Sequence, residues 1–194
     1  MRVLIACEFS GVVRDAFAKQ GHYAMSCDLL PTESPGNHYQ GDIRDVLQWD
    51  WDLMIAHPPC TYLSNAGARH LYPKGVLNPE RLAKGLEAKE FFMALYNAPI
   101  PLVCIENPIP STVYGLPQYT QTIQPYEFGH PFKKKTCLWL RGLPTLTPTQ
   151  VVEERQSSKV AGNWFNKGGK DRQKNRAKTF QGIADAMAQQ WGTS

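Results

Sequence analysis

Three stretches of this chain are apolar without a break: Val3-Leu4-Ile5-Ala6-Cys7, Leu53-Met54-Ile55-Ala56 and Leu102-Val103-Cys104-Ile105. Side chains alternate between the two faces of a strand, so a run with no polar position has to be covered on both faces. That pattern marks central strands of a largely parallel sheet with helices above and below it. Helices to cover it are present. Val12, Val13, Ala16 and Phe17 recur at helical spacing in a segment ending at Gly21, and Leu82, Leu86, Phe91, Phe92 and Leu95 do so within Glu80 to Tyr96. Ile183 to Trp191 closes the chain with an amphipathic helix. His22 to Cys27, closed by Asp28, reads as a further strand, as does Thr136 to Leu140. Pro31 to Gly41 reads as loop, and Gly41 to Val46 as a turn into a short helix. The expectation is an α/β fold, doubly wound around a mostly parallel, Rossmann-like sheet, with residues 1–194 in one domain, because 194 residues suit one domain better than two.

In such sheets ligands bind in the crevice at the strand C-terminal ends. Glu8, Asp28, Asp42, Pro59-Cys60 and Glu106-Asn107 all fall there. The turn Glu8-Phe9-Ser10-Gly11 offers backbone amides and a helix N-terminus, and Gly11 allows close approach. It lacks the Gly-x-Gly-x-x-Gly of dinucleotide folds. Asp28, at the end of the second strand, is placed to hydrogen-bond ribose hydroxyls. Asp42 is placed to contact an adenine or position a cofactor. Carboxylates repel phosphate, so acids at successive strand ends suit an adenosine-bearing cofactor better than a free phosphate.

Cys60 follows Pro58-Pro59, a stiff link that aims the thiol outward at the ligand edge rather than into the core. Glu106 stands at the end of the strand Leu102 to Ile105. A carboxylate buried beside a substrate is expected to have its pKa raised and to act as an acid near neutral pH. A thiol and an acid together suit attack on an electron-poor ring with protonation of a ring nitrogen.

Pro59-Cys60-Thr61-Tyr62-Leu63-Ser64-Asn65-Ala66-Gly67 resembles the catalytic loop of the DNA cytosine-5 methyltransferases, Pro-Cys-Gln-x-Phe-Ser-x-Ala-Gly. Glu8 to Gly11 resembles the Phe-x-Gly-x-Gly motif of that family with only its final glycine kept, and Gly41-Asp42-Ile43 its Gly-Asp-Ile. Glu106-Asn107-Pro108 is similar to its Glu-Asn-Val. Lys133-Lys134-Lys135 is similar to its Arg-x-Arg, with Lys133 and Lys135 in the arginine positions, and Thr179 to Ala186 is similar to its final motif. The motifs stand in the family's order over almost the whole chain.

The resemblance implies the S-adenosylmethionine-dependent methyltransferase fold and transfer of a methyl group to C5 of cytosine in DNA. Cys60 would add to C6, Glu106 would act at N3, and Asn107 would help hold the loop. Lys133 and Lys135 would contact the base carbonyl or a phosphate, as point charges rather than planar forks. Cofactor contacts would come from Glu8, Phe9, Ser10, Gly11, Asp28, Asp42, Pro59, Thr179, Phe180 and Gly182. Thr61 replaces the family's glutamine and the leading glycine of the first motif is absent. Both changes bear on how the loop closes and the cofactor is held. The reading leaves open a modified S-adenosylmethionine carrying a larger group.

The net charge of +4 is unevenly spread: Arg155, Lys159, Lys167, Lys170, Arg172, Lys174, Arg176 and Lys178 face a single acid in that stretch, Asp171, and the remainder of the chain is net acidic. The interval from Arg141 to Lys178 stands where the family's duplex-reading members carry a recognition domain, and it is shorter than the roughly 40 residues a chain needs to fold alone. It reads as a basic loop or insert. Trp164 and Phe165 among the cations suit base stacking and phosphate contact with little sequence reading, so DNA, double- or single-stranded, is the expected partner. Ser64, Lys167, Lys170, Arg172, Lys174 and Arg176 are the candidate contacts. A solvated linker is the alternative.

Two further readings stand beside DNA methylation: modification of a free deoxycytidine nucleotide, and a non-catalytic nucleic-acid-binding relative. No apolar run approaches the roughly 20 residues of a membrane span, and the first strand is too short for a signal peptide. The expected location is the cytoplasm, or a host's cytoplasm for a phage protein. The spacing of the five cysteines matches neither a zinc site nor a disulfide framework. The sequence leaves oligomeric state open.

Overall fold

The computed structural model describes residues 1–157 and 172–193. Its strands are β1 (Arg2–Ala6), β2 (Tyr23–Asp28), β3 (His38–Gln40), β4 (Leu53–Ala56), β5 (Leu102–Pro108), β6 (Gln121–Ile123), β7 (Phe132–Lys133), β8 (Thr136–Arg141) and β9 (Gln156–Ser157). Its α-helices are α1 (Val12–Lys19), α2 (Asn65–Ala68), α3 (Pro79–Tyr96), α4 (Arg172–Ala177) and α5 (Gln181–Trp191). Seven strands form one sheet in the order β3-β2-β1-β4-β5-β8-β6. The first five are parallel, and β8 enters antiparallel between β5 and β6. This is a Rossmann-like α/β fold, in keeping with the methyltransferase fold that the sequence resemblance implies.

The three unbroken apolar runs are the adjacent strands β1, β4 and β5, and their side chains divide between two cores. Val3, Ile5, Leu53 and Ile55 pack with α1 and α5 through Phe17, Ile183, Met187 and Trp191. Leu4, Ala6, Met54 and Ala56 face the other way, onto Phe92 and Leu95 of α3 and onto Trp139. Burying either layer on a sheet that leaves its other face wet would strand half of these residues in water, at about 25 cal/mol per Å² of apolar surface.

Two short strands fall outside the sequence expectation. β3 lies inside the stretch read as loop, and β6 lies in the proline-rich region after β5. Both are edge strands of three residues, too short to show a period. The interval after β8 begins packed rather than loose. Leu146 is buried, Trp191 Nε1 donates to the Pro144 carbonyl at 3.0 Å, and β9 pairs in parallel with β7. Among the described residues no helix is long and apolar enough to cross a membrane.

Candidate active site

The chain leaves β4 through His57-Pro58-Pro59-Cys60 and folds into a tight loop. The Ser64 N–H donates to the Cys60 carbonyl at 3.0 Å, and the Ser64 hydroxyl caps α2 by accepting from the Gly67 N–H at 3.2 Å. Gly67 sits so close to the Thr61 carbonyl that a Cβ there would collide with it. Arg81 of α3 clamps the same point, donating from Nη2 to the Gly67 carbonyl at 3.0 Å and the Thr61 carbonyl at 3.4 Å, with its guanidinium 5.0 Å from the Tyr62 ring centre. The Ser111 N–H donates to the Leu63 carbonyl at 2.7 Å, which fastens the loop to the segment leaving β5. Ser64, read as a nucleic-acid contact, is therefore buried and spent as a cap.

Glu106 lies at the C-terminal part of β5, opposite Leu138 of β8, with its side chain 15% exposed. His57 Nδ1 stands 2.8 Å from Glu106 Oε2, and the Thr179 hydroxyl donates to the same oxygen at 3.5 Å. Burial pushes the Glu106 carboxyl up, as the sequence suggests. The hydrogen bond and charge of His57, with Lys134 and Thr179, more than offset burial, and the carboxyl sits below its ordinary value. The expectation of a raised carboxyl pKa is thus corrected by a histidine that sequence reasoning did not single out. Burial pushes His57 down in turn, but the bond to and charge of Glu106, aided by Glu8, carry it above the ordinary imidazole value against Lys134. Each partner's shift favours its charged form. The pair's stabilisation is complete between the two ordinary values. It is lost as pH rises through the raised His57 value or falls through the lowered Glu106 value.

Cys60 is half-buried and feels Glu106. Burial and then the Glu106 charge raise its thiol pKa, while its own backbone N–H, Lys134 and Arg176 pull the other way. Lys134 is the lysine that faces this group. Residues 133 and 135 are exposed, whereas Lys134 is half-buried, with Nζ donating to the Arg176 carbonyl at 2.9 Å and lying 5.6 Å from the Phe180 ring centre. Burial lowers its pKa, opposed by Glu106. Lys133 and Lys135, expected at the substrate by motif register, are exposed on either side of Lys134.

Thr179 and Phe180 are buried beside this cluster. The Phe180 ring lies 5.1 Å from that of His130 in a tilted pair, the Gly182 N–H donates to His130 Nε2 at 3.0 Å, and a Cβ on Gly182 would strike the Phe128 carbonyl. The start of α5 is thereby seated at Glu106. Asn107 is buried with Nδ2 unpartnered among the described residues.

A crevice of about 170 Å³ opens along the neighbouring strand ends, lined by Cys7, Cys27, Asp28, Asp42, Pro59 and Phe91, among others. Asp28, Asp42 and Pro59 were expected at the cofactor, and the fold brings them together. Asp28 Oδ1 accepts from the Leu30 N–H at 2.9 Å, and Asp42 Oδ1 accepts from the Arg44 N–H at 2.9 Å. Burial, then Asp28 and Asp42, push the Cys27 thiol up to about 12 and Cys7 higher still, so neither competes with Cys60 as a nucleophile.

The turn after β1 departs from its expected role. Glu8 is buried, with its carboxylate accepting from the Val13 N–H at 2.8 Å, the Arg14 N–H at 3.2 Å and the Ser10 hydroxyl at 3.2 Å. The helix N-terminus read as a ligand cradle is capped from within, and Phe9 and Ser10 are buried with it. Gly11 has φ 77°, and a Cβ there would meet Arg14. Arg14, 1% exposed, ties this turn to the following loop through Asp15 at 2.8 Å, the Ser34 carbonyl at 2.9 Å, and Ser26, Thr32 and the Pro35 carbonyl, each at 3.2 Å. Residues of this kind announce themselves in sequence only as an arginine on an apolar helix face.

Of the basic segment, Lys174 and Arg176 are exposed on and near α4, whose C-terminal end meets Lys134. Lys178 Nζ pairs with Glu33 at 2.6 Å. Arg172 begins α4. Lys159, Lys167, Lys170, Trp164 and Phe165 lie outside the described residues. Beside the loop that follows Cys60, a wide hollow of about 450 Å³ is lined by Tyr62, His70, Arg81 and Lys84, among others.

No family model matches the chain, and no curated protein matches it in sequence. Among solved structures, one named as a DNA modification methyltransferase encoded within a prophage (E. coli) superposes with a TM-score of 0.45 at 11% identity, over 77% of this chain. The aligned part is 51% of that protein, so the chain spans about half its length. The likeness is too loose to carry an activity across.

Proposed function

We propose that this protein methylates C5 of cytosine in DNA, using S-adenosylmethionine. One observation carries the reading: Glu106, on β5, is held 2.8 Å from His57, three residues before Cys60, next to a crevice lined by acids. The charge of the crevice lining suits the cofactor. Asp28 and Asp42 suit ribose hydroxyls, an adenine amine and a sulfonium cation, and they disfavour phosphate. When bound, S-adenosylmethionine supplies an electrophilic methyl group.

The chain's own residues do the rest. Cys60 sulfur bonds to C6, and its thiol proton leaves to solvent. Glu106 faces N3 as that nitrogen acquires a proton, Lys134 offers its ammonium to the base carbonyl, and Thr179 fixes Oε2 of Glu106. The ring electrons released to C5 take up the methyl group. Loss of the C5 proton to solvent then lets the Cys60–C6 bond break, and the released thiolate takes a proton back from solvent. The target base must leave the stack, since both ring faces are used. Lys174 and Arg176, exposed on α4, suit the phosphates beside it.

Incubation with cytosine-containing DNA and labelled cofactor, followed by nucleoside mass spectrometry, tests this directly. The expected product is 5-methyldeoxycytidine in DNA. Label found on free deoxycytidine nucleotide and not on DNA would move the reading to the nucleotide, and no label on either would refute it.

The loop geometry gives a second expectation. Gly67→Ala forces the Thr61 carbonyl aside and shifts Cys60, so methyl transfer should fall about 100-fold. Cofactor affinity, read by equilibrium binding, should hardly change.

A further inference from the structure

We infer that His57 stores the proton of this site: its Nδ1–H, held against Glu106, passes through the carboxylate to N3 of the cytosine as Cys60 adds to C6. The inference rests on the cytosine reading above and adds a residue to it. His57 is covalently coupled to the nucleophile, since only the stiff Pro58-Pro59 link separates them. Its Nδ1 lies 2.8 Å from Glu106 Oε2, a distance that requires a proton between nitrogen and oxygen. Its Nε2 is buried and unpartnered among the described residues, so the contact with Glu106 is the route by which the ring exchanges its proton. The Thr179 bond falls on Oε2 as well, which leaves Oε1 to the base.

An acid at N3 needs a proton to give. A carboxyl held below its ordinary value by His57, Lys134 and Thr179 is ionised at neutral pH and carries none. The imidazolium beside it does. In the hand-off the Nδ1–H bond breaks as Oε2 takes the proton, the carboxyl turns so that Oε2 replaces Oε1 at the base, the N3–H bond forms, and the carboxylate ends as it began. Imidazole is left neutral, and when the adduct collapses N3 returns the proton by the same path. The charged groups facing His57 are Glu106, Glu8 and Lys134, two anions that keep the store filled and one cation that eases its discharge.

Two measurements test this. The rate of methyl transfer to DNA is followed against pH for the wild type and His57→Gln, and the His57 imidazole is titrated by nitrogen NMR in the wild type and Glu106→Gln. The wild-type rate should fall on the alkaline side at the pH where His57 titrates, above the ordinary imidazole range. In His57→Gln the rate should drop about 100-fold, and the alkaline fall should move to lower pH, where the carboxyl alone holds the proton. In Glu106→Gln, burial acts unopposed by the carboxylate and His57 should titrate at lower pH than in the wild type.

A histidine that only braces Glu106 would lower the rate without moving the profile. An unmoved profile, or a His57 titration that is the same in the wild type and Glu106→Gln, overturns the inference while the cytosine reading stands. A wild type that makes no methylated cytosine at any pH overturns both. If His57→Gln does not fold, the NMR pair decides.

Discussion

Cys60→Ser should lower methyl transfer by roughly 10⁴-fold or more while leaving the fold and cofactor affinity in place. Oxygen for sulfur is a small change of volume at a half-buried site, and no hydrogen bond that holds the loop uses the thiol. The carbonyl of residue 60 still receives the Ser64 N–H. What is lost is the nucleophile, because a hydroxyl is far less acidic and less polarisable than a thiol. Burial and Glu106 already raise the Cys60 pKa, and a hydroxyl in that setting has no accessible anion. Single-turnover rates with labelled cofactor check the loss. A DNA oligonucleotide carrying 5-fluorocytosine gives a second readout, since fluorine cannot leave C5 as a proton does and the adduct persists. The wild type should form a protein–DNA band that survives denaturation, and Cys60→Ser should form none. A variant with wild-type rates would end the covalent reading.

The largest effect on stability is expected from Arg14→Met. The methionine keeps much of the stem, but the guanidinium's bonds to Asp15, Ser26, Thr32 and two carbonyls vanish. Hydrogen bonds to a charged group contribute about 1.5–3 kcal/mol each in isolation and do not add. Partial rearrangement of an exposed loop recovers some of that, so a loss of roughly 3 kcal/mol is expected. For a chain of this length that is a fall in Tm of roughly 6–12 °C. Urea denaturation measures it. Cofactor affinity should fall with stability, because the arginine ties α1 to the loop that leads into β3, at the edge of the acidic crevice.

The parts of this architecture that were legible in the sequence are those with a strong period. The unbroken runs at β1, β4 and β5 show burial on both faces, and α1 and α5 show a 3.6-residue stripe. β3 and β6 are held by neighbours rather than by pattern, so nothing local marks them. At the site, Cys60, Glu106, Asp28 and Asp42 follow from one rule, that chemistry gathers at strand C-terminal ends. Lys134 and Thr179 depend on which way an extended segment and a helix start are rotated, and motif register alone put Lys133 and Lys135 in that place. His57 was passed over because a histidine leaving a strand has no meaning until its partner, 2.8 Å away and on another strand, is known. Glu8 looked like a ligand for the cofactor, since a sequence does not show that a side chain turns back to cap the helix it precedes.

That inward turn of Glu8 bears on competition inside a cell. Adenosine is carried far more often on polyphosphates than on a sulfonium, and dinucleotide folds hold such polyphosphates at the first helix N-terminus. Here that seat is taken by the protein's own carboxylate, bonded to Val13 and Arg14. A triphosphate entering the crevice by its adenosine would meet negative charge where related folds offer bare amides. With its first helix N-terminus held by Glu8 and without the glycines of a phosphate cradle, this turn offers a polyphosphate no seat.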